Sequence, residues 1–265
     1  MCLCTKLTPF DKIREFDIGC LISDKSIHNS SKILKEISFL SVAPELDRDH
    51  ALIKKCRERN ILVSLGHSMA TLEDGKRALE NGATLVTHLF NAMNAFHHRD
   101  PGLASVITTD VFRDVNGYYG IIADGIHIHE EVVKLAYKAN PDRMCLITDA
   151  INPLGLQDGQ YHCGQQNLEV KGTRALLSGT ETLIGAICPL WTSVRNLHEW
   201  TQCSWAEALQ AASLHPAKAL CLDKSKGTLN FKADADFIIL DLENFKLLST
   251  WIGGERAFDV FETEN

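Results

Sequence analysis

From about residue 38 onward, short apolar runs alternate with segments of helical spacing, and this alternation restricts the fold more than any other feature. Residues 39–44, 61–66, 84–89, 118–123 and 144–148 are each largely apolar, and most contain β-branched side chains. Runs of this kind suit strands covered on both faces, and their alternation with helices predicts a parallel sheet. The intervening segments read as helices. Residues 46–59 carry Leu46, His50, Ile53 and Lys54 at helical spacing. Residues 71–80 open on Thr71 with Asp74 three positions on, an acidic form of the capping box, and stop at Asn81-Gly82. Over 130–139, Val132, Val133, Leu135 and Ala136 share one side, and Pro141 bars continuation.

The fold class is therefore α/β, with five βα units. A closed (β/α)₈ TIM-type barrel takes about 250 residues by itself, so the expectation is an incomplete barrel holding about the last five units. After residue 150 the texture changes. Residues 151–180 are rich in Gly and polar residues and read as a long loop with short strands near 168–171 and 176–177. Helices are expected over 185–201 and 204–221. A strongly β-prone strand follows Ala233-Asp234-Ala235-Asp236, and a last one near 250–252 turns at Gly253-Gly254. Residues 1–37 fit neither pattern.

Bulk properties exclude several partners. A net charge of −7 with no basic run argues against nucleic acid, whose phosphates select clustered Lys and Arg. No apolar run approaches the roughly 20 residues of a membrane helix, and Lys6, Asp11 and Lys12 interrupt any leader-type stretch. Nine scattered cysteines, Cys2 and Cys4 among them, read as reduced thiols of a cytoplasmic protein.

In parallel α/β barrels the chemistry gathers past the C-terminal ends of the strands. Four of the five runs end in such groups: Gly66-His67-Ser68, Thr87-His88, Asp124-Gly125 with His127 beyond, and Thr148-Asp149-Ala150. One histidine after a buried strand is ordinarily a satisfied core residue. Three histidines and an aspartate at the same end of successive strands point to one site. Imidazoles are common metal ligands, and a carboxylate beside the ion can move protons. Other polar residues read as structural: Glu45 and His215, Asp124 orienting its loop, His97 and His98 at the surface, and Trp191, Trp200 and Trp205 in packing.

The strings Ala43-Pro44-Glu45, Gly66-His67-Ser68, Thr87-His88-Leu89-Phe90-Asn91-Ala92-Met93, Arg99-Asp100-Pro101-Gly102, Ile122-Ala123-Asp124-Gly125-Ile126-His127 and Thr148-Asp149-Ala150 together resemble the N-acetylglucosamine-6-phosphate deacetylases of the amidohydrolase superfamily. Lys226-Gly227-Thr228-Leu229 and the following Ala233-Asp234-Ala235-Asp236 resemble the return into that superfamily's small β-domain. The resemblance runs over roughly 38–258. It implies a division into an atypical segment 1–37, a barrel portion 38–225 and return strands 226–265.

It also implies roles. His67 and His88 match two metal ligands. Asp149 matches the aspartate that takes a proton from the attacking water and returns one to the departing amine. His127 matches the histidine beside the scissile amide. Asn91, Ala92 and Arg99 match positions holding the sugar phosphate, and Leu177-Ser178-Gly179 resembles a segment over the substrate. The implied reaction is hydrolysis of N-acetylglucosamine 6-phosphate to glucosamine 6-phosphate and acetate. The implied cofactor is one divalent metal per subunit, zinc first, with iron, cobalt and manganese open. The implied assembly is a homodimer. The sequence departs from the family's pattern: the third ligand, a glutamate in a His-Leu-Glu-Gly-Pro string, is absent, as is the superfamily's first-strand His-x-His, and residues 1–37 do not resemble the family. The expectation is an N-terminally truncated chain that holds metal weakly, with a catalytically impaired fragment and another amidohydrolase, such as a cyclic amidase, as alternatives.

Overall fold

The computed structural model describes residues 37–163 and 166–260. The expectations for 1–36, including Cys2 and Cys4, lie outside the described residues. The five apolar runs form β1 (Phe39–Val42), β2 (Leu62–Leu65), β3 (Leu85–Val86), β4 (Tyr118–Ile121) and β5 (Met144–Leu146). They make one sheet in the order β1-β2-β3-β4-β5, every pair parallel. The fold is thus α/β around a parallel sheet.

Helices α1 (Ala51–Glu58), α2 (Leu72–Asn81), α3 (Asp110–Asp114) and α4 (Glu130–Ala139) fill the crossovers. The expected helix over 46–59 begins later than its spacing suggests. Residues Pro44–Leu46 form a 3-10 turn, and His50 is left-handed at φ 52°. The buried Asp47 carboxylate then takes the N–H groups of Leu52 and Ile53, which satisfies two otherwise orphaned donors of the first turn. At α2 the capping box is complete: Thr71 and Asp74 each accept from the other's backbone. Residues Leu103–Thr108, a buried 3-10 segment, and α3 carry no clear periodicity, so the sequence gives no sign of them.

Alternate strand positions face opposite ways. Leu40, Val42, Val63, Leu65, Val86, Tyr119, Ile121, Met144 and Leu146 join the helices' Ile53, Leu79, Phe112, Val133 and Leu197 in the main core. The other face carries two layers. Leu85, Tyr118 and Cys145 pack with Phe39 and Leu62 at the strand starts. Above them the Thr87 hydroxyl meets Ser41 Oγ at 3.0 Å and Ser64 Oγ at 2.5 Å. An apolar layer thus gives way to a hydroxyl layer just beneath the C-terminal strand ends.

Residues 151–180 are more ordered than expected. They hold an antiparallel meander of β6 (Gly159–Cys163), β7 (Gln166–Lys171) and β8 (Arg174–Leu177). Strand β6 escapes sequence reading because its alternation, half-buried Gly159, Tyr161 and Cys163 against exposed Gln160 and His162, is short and buries no residue fully. Helix α5 (Leu190–Thr201) starts later than 185, since residues 182–186 cross from β8 to the end of β5, with Leu183 bridged to Leu176 and Ala186 to Ala150. The expected helix over 204–221 breaks at Ser213 into α6 (Trp205–Ala212) and α7 (Leu214–Ala219). The tail forms a second antiparallel sheet of β9 (Phe237–Asp241), β10 (Lys246–Ile252) and β11 (Glu255–Asp259), with β11 unanticipated. Phe245, in the β9–β10 turn, stacks on Trp205 and Trp191, which explains those tryptophans as packing. Among the described residues no helix is long and apolar enough to cross a membrane.

Candidate active site

The first residue beyond the end of β2 but one, His67, and the second beyond β3, His88, face each other. Their Nε2 atoms stand 2.9 Å apart and their rings are perpendicular, with centroids 4.4 Å apart. His88 is buried and His67 exposed, so the pair opens to solvent on one side. Two features of the sequence allow the approach. Gly66 presents no Cβ where Thr87 stands; a Cβ there would lie 2.7 Å from that of Thr87. Glu45, just past β1, accepts from the Ser68 hydroxyl at 2.6 Å and the Met69 N–H at 2.8 Å. Glu45 therefore anchors the loop that carries His67, the structural role expected of it.

Backbone conformation marks the same positions. His67 (φ 49°), His88 (φ 24°) and Asp149 (φ 52°) are all left-handed, as are Phe90 and Ala92. Such conformations cost non-glycine residues of order 1–3 kcal/mol each and gather at functional sites. Three of the four candidate residues share this strain at the same end of the sheet.

His127 follows β4. Its Nδ1 donates to Asp124 Oδ2 at 2.6 Å, while Asp124 Oδ1 accepts the N–H groups of Ile126 and His127. The hydrogen bond that His127 gives to Asp124 holds the His127 pKa above its ordinary value against burial, and the charges of Asp124 and Asp149 add to it. Burial works against the Asp124 carboxylate, but the His127 ring and the two backbone donors hold it below its ordinary value. Asp149, past β5, is exposed, and its carbonyl accepts from Ala186 at 2.8 Å. Gly185 permits that contact: at φ 61° it would place a Cβ 2.9 Å from the Asp149 carbonyl oxygen.

The structure thus pairs His67 with His88, and His127 with Asp149 through charge, on four consecutive strands. Asn91 and Ala92 lie on the loop beside the His67–His88 pair: the Asn91 N–H donates to His88 O at 2.9 Å. Asn91 donates to Leu89 O at 3.5 Å, and the Ala92 carbonyl accepts from Ser68. Arg99 is exposed and its backbone N–H meets His97. Leu177, Ser178 and Gly179 close the meander, with the Ser178 hydroxyl on Gln160. His215 is structural: buried, with Nδ1 on Met144 O. The sequence reading missed the hydroxyl layer of Ser41, Ser64 and Thr87; its signal was polar residues at matching positions of otherwise apolar strands.

The model of the Amidohydrolase family matches residues 32–263. The chain belongs to the amidohydrolase family. This amidohydrolase is 48% identical over 230 residues to the human N-acetylglucosamine-6-phosphate deacetylase, covering 86% of this chain and 56% of the relative. It therefore spans about half the length of the curated relatives it matches. A Pasteurella multocida N-acetylglucosamine-6-phosphate deacetylase structure superposes with TM-score 0.81 at 28% identity, over 90% of this chain and 61% of that one. A mutant of the Mycobacterium smegmatis enzyme, in complex with N-acetyl-D-glucosamine-6-phosphate, gives TM-score 0.78 at 27% identity, over 88% and 61%.

Membership of the family implies dependence on a divalent metal. The residues present fit part of such a site. Two imidazole nitrogens converge, and His88 Nδ1 is buried with no hydrogen-bond partner among the described residues; ligand histidines ordinarily engage that second nitrogen. Among the described residues no set of three or more His, Cys, Asp or Glu side chains stands where it could hold an ion.

Proposed function

We propose that this amidohydrolase cleaves the N-acetyl group of N-acetylglucosamine 6-phosphate, giving glucosamine 6-phosphate and acetate. The observation that carries the reading is the facing Nε2 pair of His67 and His88, with His127 and Asp149 on the next two strand ends. The similarity to deacetylases across most of this chain supports it. In this reading the parallel sheet is five consecutive units of a (β/α)₈ barrel, 38–225, and residues 226–265 belong to a small β-domain. The cytoplasmic protein acts as a homodimer.

His67 and His88 would hold the metal, zinc first among candidates. When bound, the ion polarises the amide carbonyl and makes water more acidic. Asp149 takes the proton of the attacking water and later protonates the amine, which leaves only in that form. His127 donates to the acyl oxygen as charge builds there. Arg99 and Asn91, on the loop after β3, grip the phosphate; a guanidinium fork suits that anion. Leu177, Ser178 and Gly179 lie over the sugar.

The test is acetate release from the sugar with and without its 6-phosphate. The reading predicts strong preference for the phosphorylated form and loss of that preference in Arg99→Ala. Equal turnover of both sugars refutes the substrate assignment and favours another amide, such as a cyclic one. The lack of a third ligand among the described residues favours a second reading, a catalytically impaired chain that binds the sugar phosphate. Binding without acetate release at saturating zinc would establish it.

A further inference from the structure

The Asp124 carboxylate accepts three hydrogen bonds, at both of its oxygens. Its side chain is 1% exposed and that of His127 10%. One oxygen holds two backbone N–H groups at 2.9 Å, and the other holds the imidazole Nδ1 at 2.6 Å. The loop itself is fastened to α5: Asn196 donates to Ala123 O at 2.9 Å, and the Trp200 ring lies against Gly125. The carboxylate cannot rotate without losing donors, so the ring it holds is fixed as well.

We propose that Asp124 is a positioning residue for His127: it fixes the ring and keeps it an imidazolium, so that Nε2–H is left as the donor to the acyl oxygen. The last clause rests on the deacetylase reading above. The physical reason is the donor count of imidazole. A neutral ring that gives its Nδ1 proton to Asp124 has only a lone pair at Nε2, which would repel a developing oxyanion. Only the protonated ring donates from both nitrogens. Burial alone would empty the site of that charge. The carboxylate of Asp124 opposes this, aided by Asp149 beyond β5. Cys188, ahead of α5, is another titratable group that feels Asp124; burial keeps its thiol protonated, and Arg195 of α5 acts on that thiol.

The experiment compares Asp124→Asn and Asp124→Glu with the unaltered chain. The amide of Asn keeps the shape and an oxygen for the two backbone donors but removes the charge. NMR titration of the His127 ring should show its pKa falling by about 1–3 units in Asp124→Asn. The alkaline limb of kcat should move down in pH by the same amount with KM little changed, and Asp124→Glu should restore it. A purely structural role would lower activity evenly across pH. An unmoved His127 titration, or a pH-independent loss, overturns the proposal. If the unaltered chain releases no acetate at any pH, the deacetylase reading falls, and the ring titration still decides whether Asp124 sets the charge of His127.

Discussion

Replacing Gly66 by alanine adds a methyl group between the two strand ends that carry the candidate metal ligands. The new Cβ would lie 2.7 Å from Thr87 Cβ and 3.2 Å from its hydroxyl. Truncating the threonine side chain offers no relief, because the Cβ itself is the obstacle. Nor can Thr87 swing aside freely, since its hydroxyl is held by Ser41 at 3.0 Å and Ser64 at 2.5 Å. Overpacking of this kind costs about 1–3 kcal/mol, and each hydrogen bond lost adds about 1 kcal/mol. A loss near 2–3 kcal/mol is therefore expected in urea unfolding. Moving β2 from β3 also separates His67 from His88. Outer-shell disturbances of metal sites cost roughly 10–100-fold in affinity, so a zinc titration against a competing chelator should weaken by that order. A stability change under about 0.5 kcal/mol with unaltered zinc affinity would refute the reasoning.

Three further outcomes follow from the same geometry. His88→Ala should weaken zinc binding by more than the roughly 10–100-fold of outer-shell changes, measured by the same competition; unchanged affinity would remove His88 from the site. Tyr119→Phe should cost about 1 kcal/mol in urea unfolding, because the buried hydroxyl shares its proton between the carbonyls of Ala136 in α4 and Asn140 at its C-terminal end; a neutral result would show that hydroxyl to be idle. The Asp124–His127 pair should make stability depend on pH. The lowered Asp124 pKa gives stability above the usual carboxylate range that is lost as pH falls through it. The raised His127 pKa gives stability that is full below about 6.5 and lost as pH rises through the folded value. The stability gap between the unaltered chain and Asp124→Ala should therefore be widest at about pH 5–6 and narrow on either side; a flat gap would contradict the pairing.

The parallel sheet was legible because its strands are buried on both faces, so each appears as an apolar run that ends where the polar groups begin. The helix at 130–139 was legible to the residue, with an apolar side and Pro141 beyond it. The meander strand Gly159–Cys163 and the tail strand Glu255–Asp259 were not, because neither buries a side chain fully: the first alternates half-buried and exposed residues, and the second is exposed as far as Phe258. For the candidate site, residue types at strand ends showed where His67, His88, His127 and Asp149 would gather. They could not show that Asp124 takes the His127 ring, although an Asp-Gly turn three residues ahead of a histidine is the pattern that allows it. The left-handed backbone of His67, His88 and Asp149 is set by tertiary packing and leaves no mark on composition.

The central claim is that Asp149 moves the protons of amide hydrolysis beside the His67–His88 pair. Asp149→Asn tests it most directly, since asparagine tolerates the left-handed backbone that Asp149 adopts. Acetate release from N-acetylglucosamine 6-phosphate, measured at matched zinc occupancy, should fall by about 10²–10⁴-fold in the variant while zinc affinity holds. Equal rates in the two proteins would contradict the account.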